Sequence, residues 1–266
     1  MLVAQWEKVA KPIVGMLHLG ALPGSPMYGG SMGKIREVLL SDAQKLAEGG
    51  VHGLMMENFG DTPFFPGRVG AETVAHMTAL AAEVRRVAPH LPLGINVLRN
   101  DGLSALSIAH AVGAEYIRVN VLCAARLADQ GILHGIAHDL LRLRAQLGAE
   151  KIRIFADVDV KHSAPLAPRP IVDEVDDTIE RGLADALVVS GAGTGKPADP
   201  SKLREVKSAA GKTPVFLGSG VSPKTIGALW DQADGFIVGT HFKVGGNATD
   251  VVDVARVREF MKGLPG

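Results

Sequence analysis

The stretch KIRIFADVDVKH, residues 151–162, carries the pattern from which the fold is predicted. An apolar run ends in acidic and basic side chains, which is typical of a strand buried on both faces of a parallel sheet. Seven further segments have the same apolar character. The predicted strands are 13–19, 53–58, 93–98, 116–121, 151–158, 186–190, 214–218 and 235–239.

Helical periodicity separates these strands. Apolar residues recur at three- and four-residue spacing in 35–46, 73–87, 105–111, 133–147 and 251–261. Strands that alternate with helices indicate βαβ units. A small and a polar residue precede every second strand, which indicates an internal repeat; the alternative is ordinary helix-to-strand turn chemistry. The polar residues are His52, Glu115, Asp185 and Asp234.

Length and composition favour one large α/β domain. The 266 residues, 47% of them hydrophobic, suffice for eight βα units around a large core. We therefore predict a single (βα)8 TIM barrel over residues 1–266, with a doubly wound parallel sheet as the alternative.

Charge and cysteine content exclude several classes of protein. Lys and Arg number 28, as do Asp and Glu, so a basic nucleic-acid-binding protein is not expected. The single cysteine, Cys123, excludes an intrachain disulfide. No apolar run is long enough for a transmembrane helix, and the first residues lack a signal-peptide core. We expect a cytoplasmic protein.

In a TIM barrel the ligand site forms where the strands end. Polar side chains concentrate there, although the alternative is that they only fill a hydrated barrel mouth. The candidate catalytic residues are Glu57, Asp157, Asp159 and Lys161. The candidate substrate-binding residues are His18, Asn58, Asn96, Arg99, Asn120, His162 and Ser190.

The end of the fifth predicted strand has the most distinctive chemistry. Asp157, Asp159 and Lys161 alternate, so they share one face while the strand lasts. A carboxylate beside an ammonium group supplies an acid–base pair or an imine-forming lysine. The alternative is a structural ion pair.

Glycine-rich turns follow the last three predicted strands, at 190–196, 218–223 and 239–243. Small residues let backbone N–H groups approach an anion, and phosphate sites recur in the last loops of such barrels. The alternative is tight turns without a ligand. The first turn lacks the P-loop spacing. The candidate phosphate-binding residues are Gly218, Ser219, Gly220, Gly239, Thr240 and Lys243.

No metal ion or other cofactor is predicted. A divalent metal held by His18, Glu57, Asp157 and His162 is a minor alternative, because these are acceptable ligand types.

The sequence resembles the BtpA family, which includes the SgcQ-like proteins. The matching stretches are MLHL (16–19), LPGSP (22–26), ENFGD (57–61), GINVLRND (94–101), IRVNV (117–121), DQG (129–131), FADVDVKH (155–162) and GSGV (218–221). The resemblance implies a phosphate-binding TIM barrel. The family is named for a role in photosystem I assembly with peripheral membrane association, and many relatives resemble parts of sugar-utilisation systems.

Three functions follow as hypotheses. The first is an enzyme of isomerase, lyase or nucleosidase type that acts on a phosphorylated sugar or ribosyl compound, with Glu57 and Asp157 as the acid–base pair. The second is a non-catalytic photosystem I assembly factor, and the third is a sugar-phosphate sensor. A homo-oligomer is expected.

Overall fold

A computed structural model describes residues 2–191, 193 and 198–265. The strands in this part of the chain are β1 (Ile13–His18), β2 (Gly53–Glu57), β3 (Leu93–Asn96), β4 (Tyr116–Val119), β5 (Ala125–Ala128), β6 (Gly131–His134), β7 (Arg153–Val158), β8 (Ser163–Pro165), β9 (Ala186–Val189), β10 (Val215–Leu217) and β11 (Gly235–Val238). The helices are α1 (Met32–Gly49), α2 (Ala71–Val87), α3 (Gly102–Val112), α4 (Ala137–Gln146), α5 (Ile171–Asp176), α6 (Pro200–Ala209), α7 (Pro223–Leu229) and α8 (Val254–Lys262).

Eight parallel strands close into a barrel in the order β1-β11-β10-β9-β7-β4-β3-β2. These are the eight predicted strands, so the TIM-barrel prediction is confirmed and the open, doubly wound sheet is wrong. In the part of the chain that the structure describes, no helix is long and apolar enough to cross a bilayer.

Alternation along the strands separates an inner from an outer core. On β7, Ile154, Ala156 and Val158 pack in the cluster formed with the helices, whereas Phe155 belongs to the inner cluster. The inner cluster also contains Trp6, from a short 3-10 helix before β1. The Trp6 ring lies 5.6 to 6.3 Å from the rings of Tyr116, Phe155 and Phe216. Aromatic packing therefore fills the barrel.

One predicted helix begins in the wrong place. The periodicity over 133–147 predicts a single helix, but Gly131–His134 forms β6 and α4 begins at Ala137. Gly131, at φ +93°, allows the turn that pairs β6 antiparallel with β5. Leu133 is buried against Val121 and Val160. This apolar residue therefore packs as part of β6 and not as part of a helix.

Candidate functional site

Strand register brings four polar side chains together at the carboxyl ends of the barrel strands. His18 lies opposite Glu57, Glu57 opposite Asn96, and Asn96 opposite Arg118. Two residues earlier, Met16, Met55 and Tyr116 belong to the inner apolar cluster. Side chains two residues apart on a strand share a face, so the polar layer lies directly above the apolar one.

Glu57 is buried between Asn96 and His18. Its Oε2 accepts a 2.5 Å hydrogen bond from Asn96 Nδ2, and its Oε1 lies 4.0 Å from Nε2 of His18. Burial is the main cause that lowers the pKa of His18, although the Glu57 charge acts in the opposite direction. His18 Nδ1 lies 2.9 Å from the carbonyl oxygen of Ala248, which fixes the ring. This pair combines a carboxylate with a histidine that favours its neutral form.

Asp157 and Arg118 form a buried, two-bond ion pair. Arg118 Nη2 donates to Oδ1 of Asp157 at 2.8 Å, and Nε donates to Oδ2 at 3.1 Å. Asn120 donates to Oδ2 as well. Burial acts to lower the pKa of Arg118, but Asp157 outweighs it and the pKa is raised. These contacts hold Arg118 at the mouth, and Asp157 itself does not line the cavity there.

Lys161 lies at the barrel mouth, three residues beyond the end of β7. It lines the cavity described below together with Glu57 and Arg118. Burial and then the charge of Arg118 lower its pKa, with Glu57 and Asp157 opposing them. A lysine of lowered pKa is a stronger candidate for acid–base or imine chemistry than an exposed one.

The alternation predicts that Asp159 shares a face with Asp157 and Lys161. In the structure it does not. Strand β7 ends at Val158, and Asp159 has left-handed backbone, φ +48°. Its carboxylate accepts hydrogen bonds from Arg126 and Lys202. Burial would raise the pKa of Asp159, but these two cations lower it. The geometry gives Asp159 a structural ion pair, which was the alternative.

Lys243 is also placed differently from the prediction. Its side chain is 1% exposed, and Nζ donates to Oδ2 of Asp42 at 2.7 Å. The other oxygen of Asp42 accepts from the backbone N–H of Val252 at 2.7 Å. The charge of Lys243 is neutralised inside the fold, and the cationic side chains that line the glycine-rich part of the mouth among the described residues are Arg118 and Lys161.

Several predicted substrate-binding residues act through their neighbours. Asn58 accepts from the backbone N–H of Leu98 at 2.7 Å and donates to Asp61 at 3.0 Å. Ser190 Oγ accepts from Arg118 Nη2 at 3.3 Å. Neither they nor Asn96 line the cavity.

The cavity at the mouth has two lobes. The glycine lobe is lined by His18, Gly218, Ser219, Gly220, Gly239 and Thr240, among others. The wide lobe, about 340 Å³, is lined by Phe59, Phe64, Arg99, Asn120, Asp129, Gln130 and His162, among others. The residues that line both lobes are Glu57, Phe59, Arg118 and Lys161. The two lobes therefore meet at the carboxylate and the two cations.

Glycine is required in the first lobe because the space is small. A Cβ on Gly218 would lie 2.7 Å from Cγ1 of Val188, and one on Gly239 would lie 3.2 Å from Cε1 of His18. Gly220 has φ +66°. The predicted turn at 190–196 falls mostly outside the described residues, although the carbonyl oxygen of Gly193 accepts from Ser219 Oγ at 3.1 Å.

Asp129 and Gln130 line the wide lobe but are not among the predicted site residues. They lie in the turn between β5 and β6, in a three-stranded antiparallel sheet of order β6-β5-β8. The glycine after them, Gly131 at φ +93°, was the available signal for a hairpin. Phe59 and Phe64, which also line this lobe, had no such signal.

The tetrad His18, Glu57, Asp157 and His162 does not form a metal centre in the structure. In residues 2–191, 193 and 198–265, no three His, Cys, Asp or Glu side chains are grouped so that they could hold a metal ion.

Two solved structures illustrate the likeness of this fold to known proteins. Thiamine phosphate pyrophosphorylase from Pyrococcus furiosus has a TM-score of 0.58 and 14% identity, covering 96% of this chain and 95% of that one. KGPDC from Streptococcus mutans has a TM-score of 0.57 and 13% identity, covering 96% and 97%. At such identities the likeness extends to the fold alone.

Sequence relatives are much closer. A protein of Thermococcus kodakarensis is 48% identical, covering 95% of this chain and 94% of its own length. The photosystem I biogenesis protein BtpA of Synechocystis sp. is 44% identical, covering 95% and 88%. The sequence model of the BtpA family matches residues 9–265. The chain therefore belongs to the BtpA family.

Proposed function

We propose that the protein is an enzyme that acts on a phosphorylated sugar or ribosyl compound. The observation that carries this proposal is that Glu57, Arg118 and Lys161 line both lobes of the mouth. A phosphate in the glycine lobe and the rest of the substrate in the wide lobe would put the reacting bonds beside these three groups.

Each group has a chemical task in this proposal. Glu57, fixed by Asn96 at 2.5 Å, moves a proton to or from the substrate. Lys161 stabilises a developing oxyanion, or forms an imine with a carbonyl group. Arg118, held in place by Asp157, supplies a permanent positive charge between the lobes. Isomerisation, carbon–carbon cleavage and cleavage of a ribosyl bond all use such a set.

The experiment is a turnover assay over a panel of sugar phosphates and nucleoside 5′-monophosphates. Nuclear magnetic resonance detects the conversion of each compound. We expect one class of substrate to be converted, and Glu57→Gln to lower kcat by about 100-fold or more with the fold intact. As a control, Glu72→Gln, on the outer helix α2, should keep full activity. Full activity in Glu57→Gln would contradict the role of Glu57 in proton transfer.

The alternative is an assembly factor without turnover, which the name of the cyanobacterial relative favours. It predicts no conversion of any panel member, and a biogenesis function that survives Glu57→Gln. The two functions are separated by expressing the Glu57→Gln variant in a cyanobacterial strain that lacks its own BtpA relative, and by testing whether photosystem I biogenesis is restored.

A further inference from the structure

Two hydrogen-bond acceptors in the wide lobe have no partner in the described part of the chain. Among the side-chain atoms that the structure describes, Oδ1 of Asn120 and Oε1 of Gln130 are buried and accept no hydrogen bond. Asn120 is 3% exposed, and both side chains line the wide lobe. A buried acceptor without a donor is unfavourable, so two of them in one cavity point to a ligand that donates.

In both amides the nitrogen atom donates a hydrogen bond to a carboxylate, in the buried interior for Asn120 and at the exposed turn for Gln130. Asn120 Nδ2 donates to Asp157, and Gln130 Nε2 donates to Oδ2 of Asp129 at 2.6 Å. Turning either amide round would put its oxygen against a carboxylate oxygen, which is repulsive. Each side chain therefore keeps its oxygen as the unused atom.

The other residues of this lobe describe the rest of the ligand. Phe59, Phe64 and Leu98 present apolar surface, and Asp129 adds negative charge beside Gln130. Aromatic side chains pack well on flat rings, and a carboxylate favours N–H donors.

We propose that the wide lobe binds a planar ring that bears an exocyclic amino group, so that the substrate is a phosphorylated ribosyl compound of such a ring. An N–H bond of such an amino group is a donor of the kind that these unused oxygens accept. The inference rests on the proposed function and narrows its substrate class from sugar phosphates in general to amino-bearing ribosyl phosphates.

Two matched ligand pairs test the inference by calorimetric titration. Adenosine 5′-monophosphate differs from purine riboside 5′-monophosphate only by an amino group, as guanosine 5′-monophosphate differs from inosine 5′-monophosphate. We expect the amino member of at least one pair to bind about tenfold more tightly than its partner. Gln130→Met should reduce this ratio to near unity, whereas Ile132→Ala, an exposed residue of the same hairpin, should leave it unchanged.

The outcomes separate the inference from the proposed function. Equal affinity within both pairs, with ribose 5-phosphate also bound, overturns the inference and leaves the proposed function standing. An amino-group advantage that persists in Gln130→Met also overturns it. Failure of the wild-type protein to bind any phosphorylated ligand, ribose 5-phosphate included, overturns both.

Discussion

At the scale of single residues, Arg118 and Asp157 form an ion pair that is buried at the mouth of the barrel. Their side chains are 3% and 0% exposed, so each charge depends on the other. Asp157→Asn removes the hydrogen-bonded counter-charge of a buried guanidinium, and we expect it to cost about 3–5 kcal/mol of the free energy of unfolding. Urea denaturation measures this cost.

The matched control is the surface pair Arg258–Glu48, whose side chains are 49% and 60% exposed. Glu48→Gln should cost less than about 1 kcal/mol. Similar small losses in both variants would contradict a structural dependence on the buried pair.

Lys161 gives a pH-dependent prediction. Its pKa in the folded protein is lowered from 10.5, first by burial and then by Arg118. Between the folded and unfolded pKa values the unfolded chain binds more protons, so stability rises with pH in that interval. Relative to Lys161→Met, the wild-type free energy of unfolding should increase as the pH is raised towards 10.5. Parallel stability curves for the two proteins would rule out the lowered pKa.

Most of the predicted site residues line the cavity at the mouth, and their roles stay predictions. His18, Glu57, Arg99 and Lys161 reach the cavity because each lies at a strand end or just beyond it. Asp159 departs because one left-handed residue ends the alternation. Lys243 departs because its partner Asp42 lies on α1, far away in sequence, and local pattern carries no information on such contacts.

At the scale of elements, the small sheet of β5, β6 and β8 carries the turn, Asp129 and Gln130, that lines one side of the wide lobe. Arg126, on β5, anchors it through Asp159, Glu174 and Ser163 Oγ, the last at 2.7 Å. Periodicity could not predict this sheet, because its strands are short and the spacing of Leu133 continues that of α4.

Arg126→Met removes these charged hydrogen bonds. We expect local opening of the sheet to become easier by about 1–3 kcal/mol, since bonds to charged groups are worth that much. Hydrogen exchange should therefore accelerate in residues 125–134 and stay unchanged in β1 and β2. Leu127→Gln, on an exposed face of β5, is the control. Unchanged exchange in the hairpin would show that Arg126 does not anchor it.

At the scale of the whole molecule, the barrel depends on its inner aromatic layer. Trp6 is 6% exposed and donates from Nε1 to the carbonyl oxygen of His52 at 2.6 Å. We expect Trp6→Ala to cost about 3–5 kcal/mol, as for other buried large residues. Trp230, a less buried tryptophan stacked on Phe236 at 5.3 Å, should cost less when replaced by alanine. Equal costs by urea denaturation would contradict a special role for Trp6.

The barrel itself was predictable because each of its strands has a recognisable apolar sequence pattern. Near-continuous apolar runs give buried parallel strands, and β7, for example, begins at Arg153 within two residues of the predicted start at 151. The packing of Trp6 was not predictable, because a short apolar segment before β1 has the same composition whether it fills the barrel or covers the outside.

The glycine lobe of the mouth is proposed to bind the phosphate group of a phosphorylated sugar. The most direct test compares ribose 5-phosphate with ribose in a thermal-shift assay, on the wild-type protein and on Gly239→Val, whose added side chain enters the space beside His18. We predict stabilisation of about 2.7 kcal/mol by ribose 5-phosphate at 100 times its Kd, little by ribose, and loss of the effect in the variant. No shift with the phosphate, or the same shift in Gly239→Val, would contradict the claim.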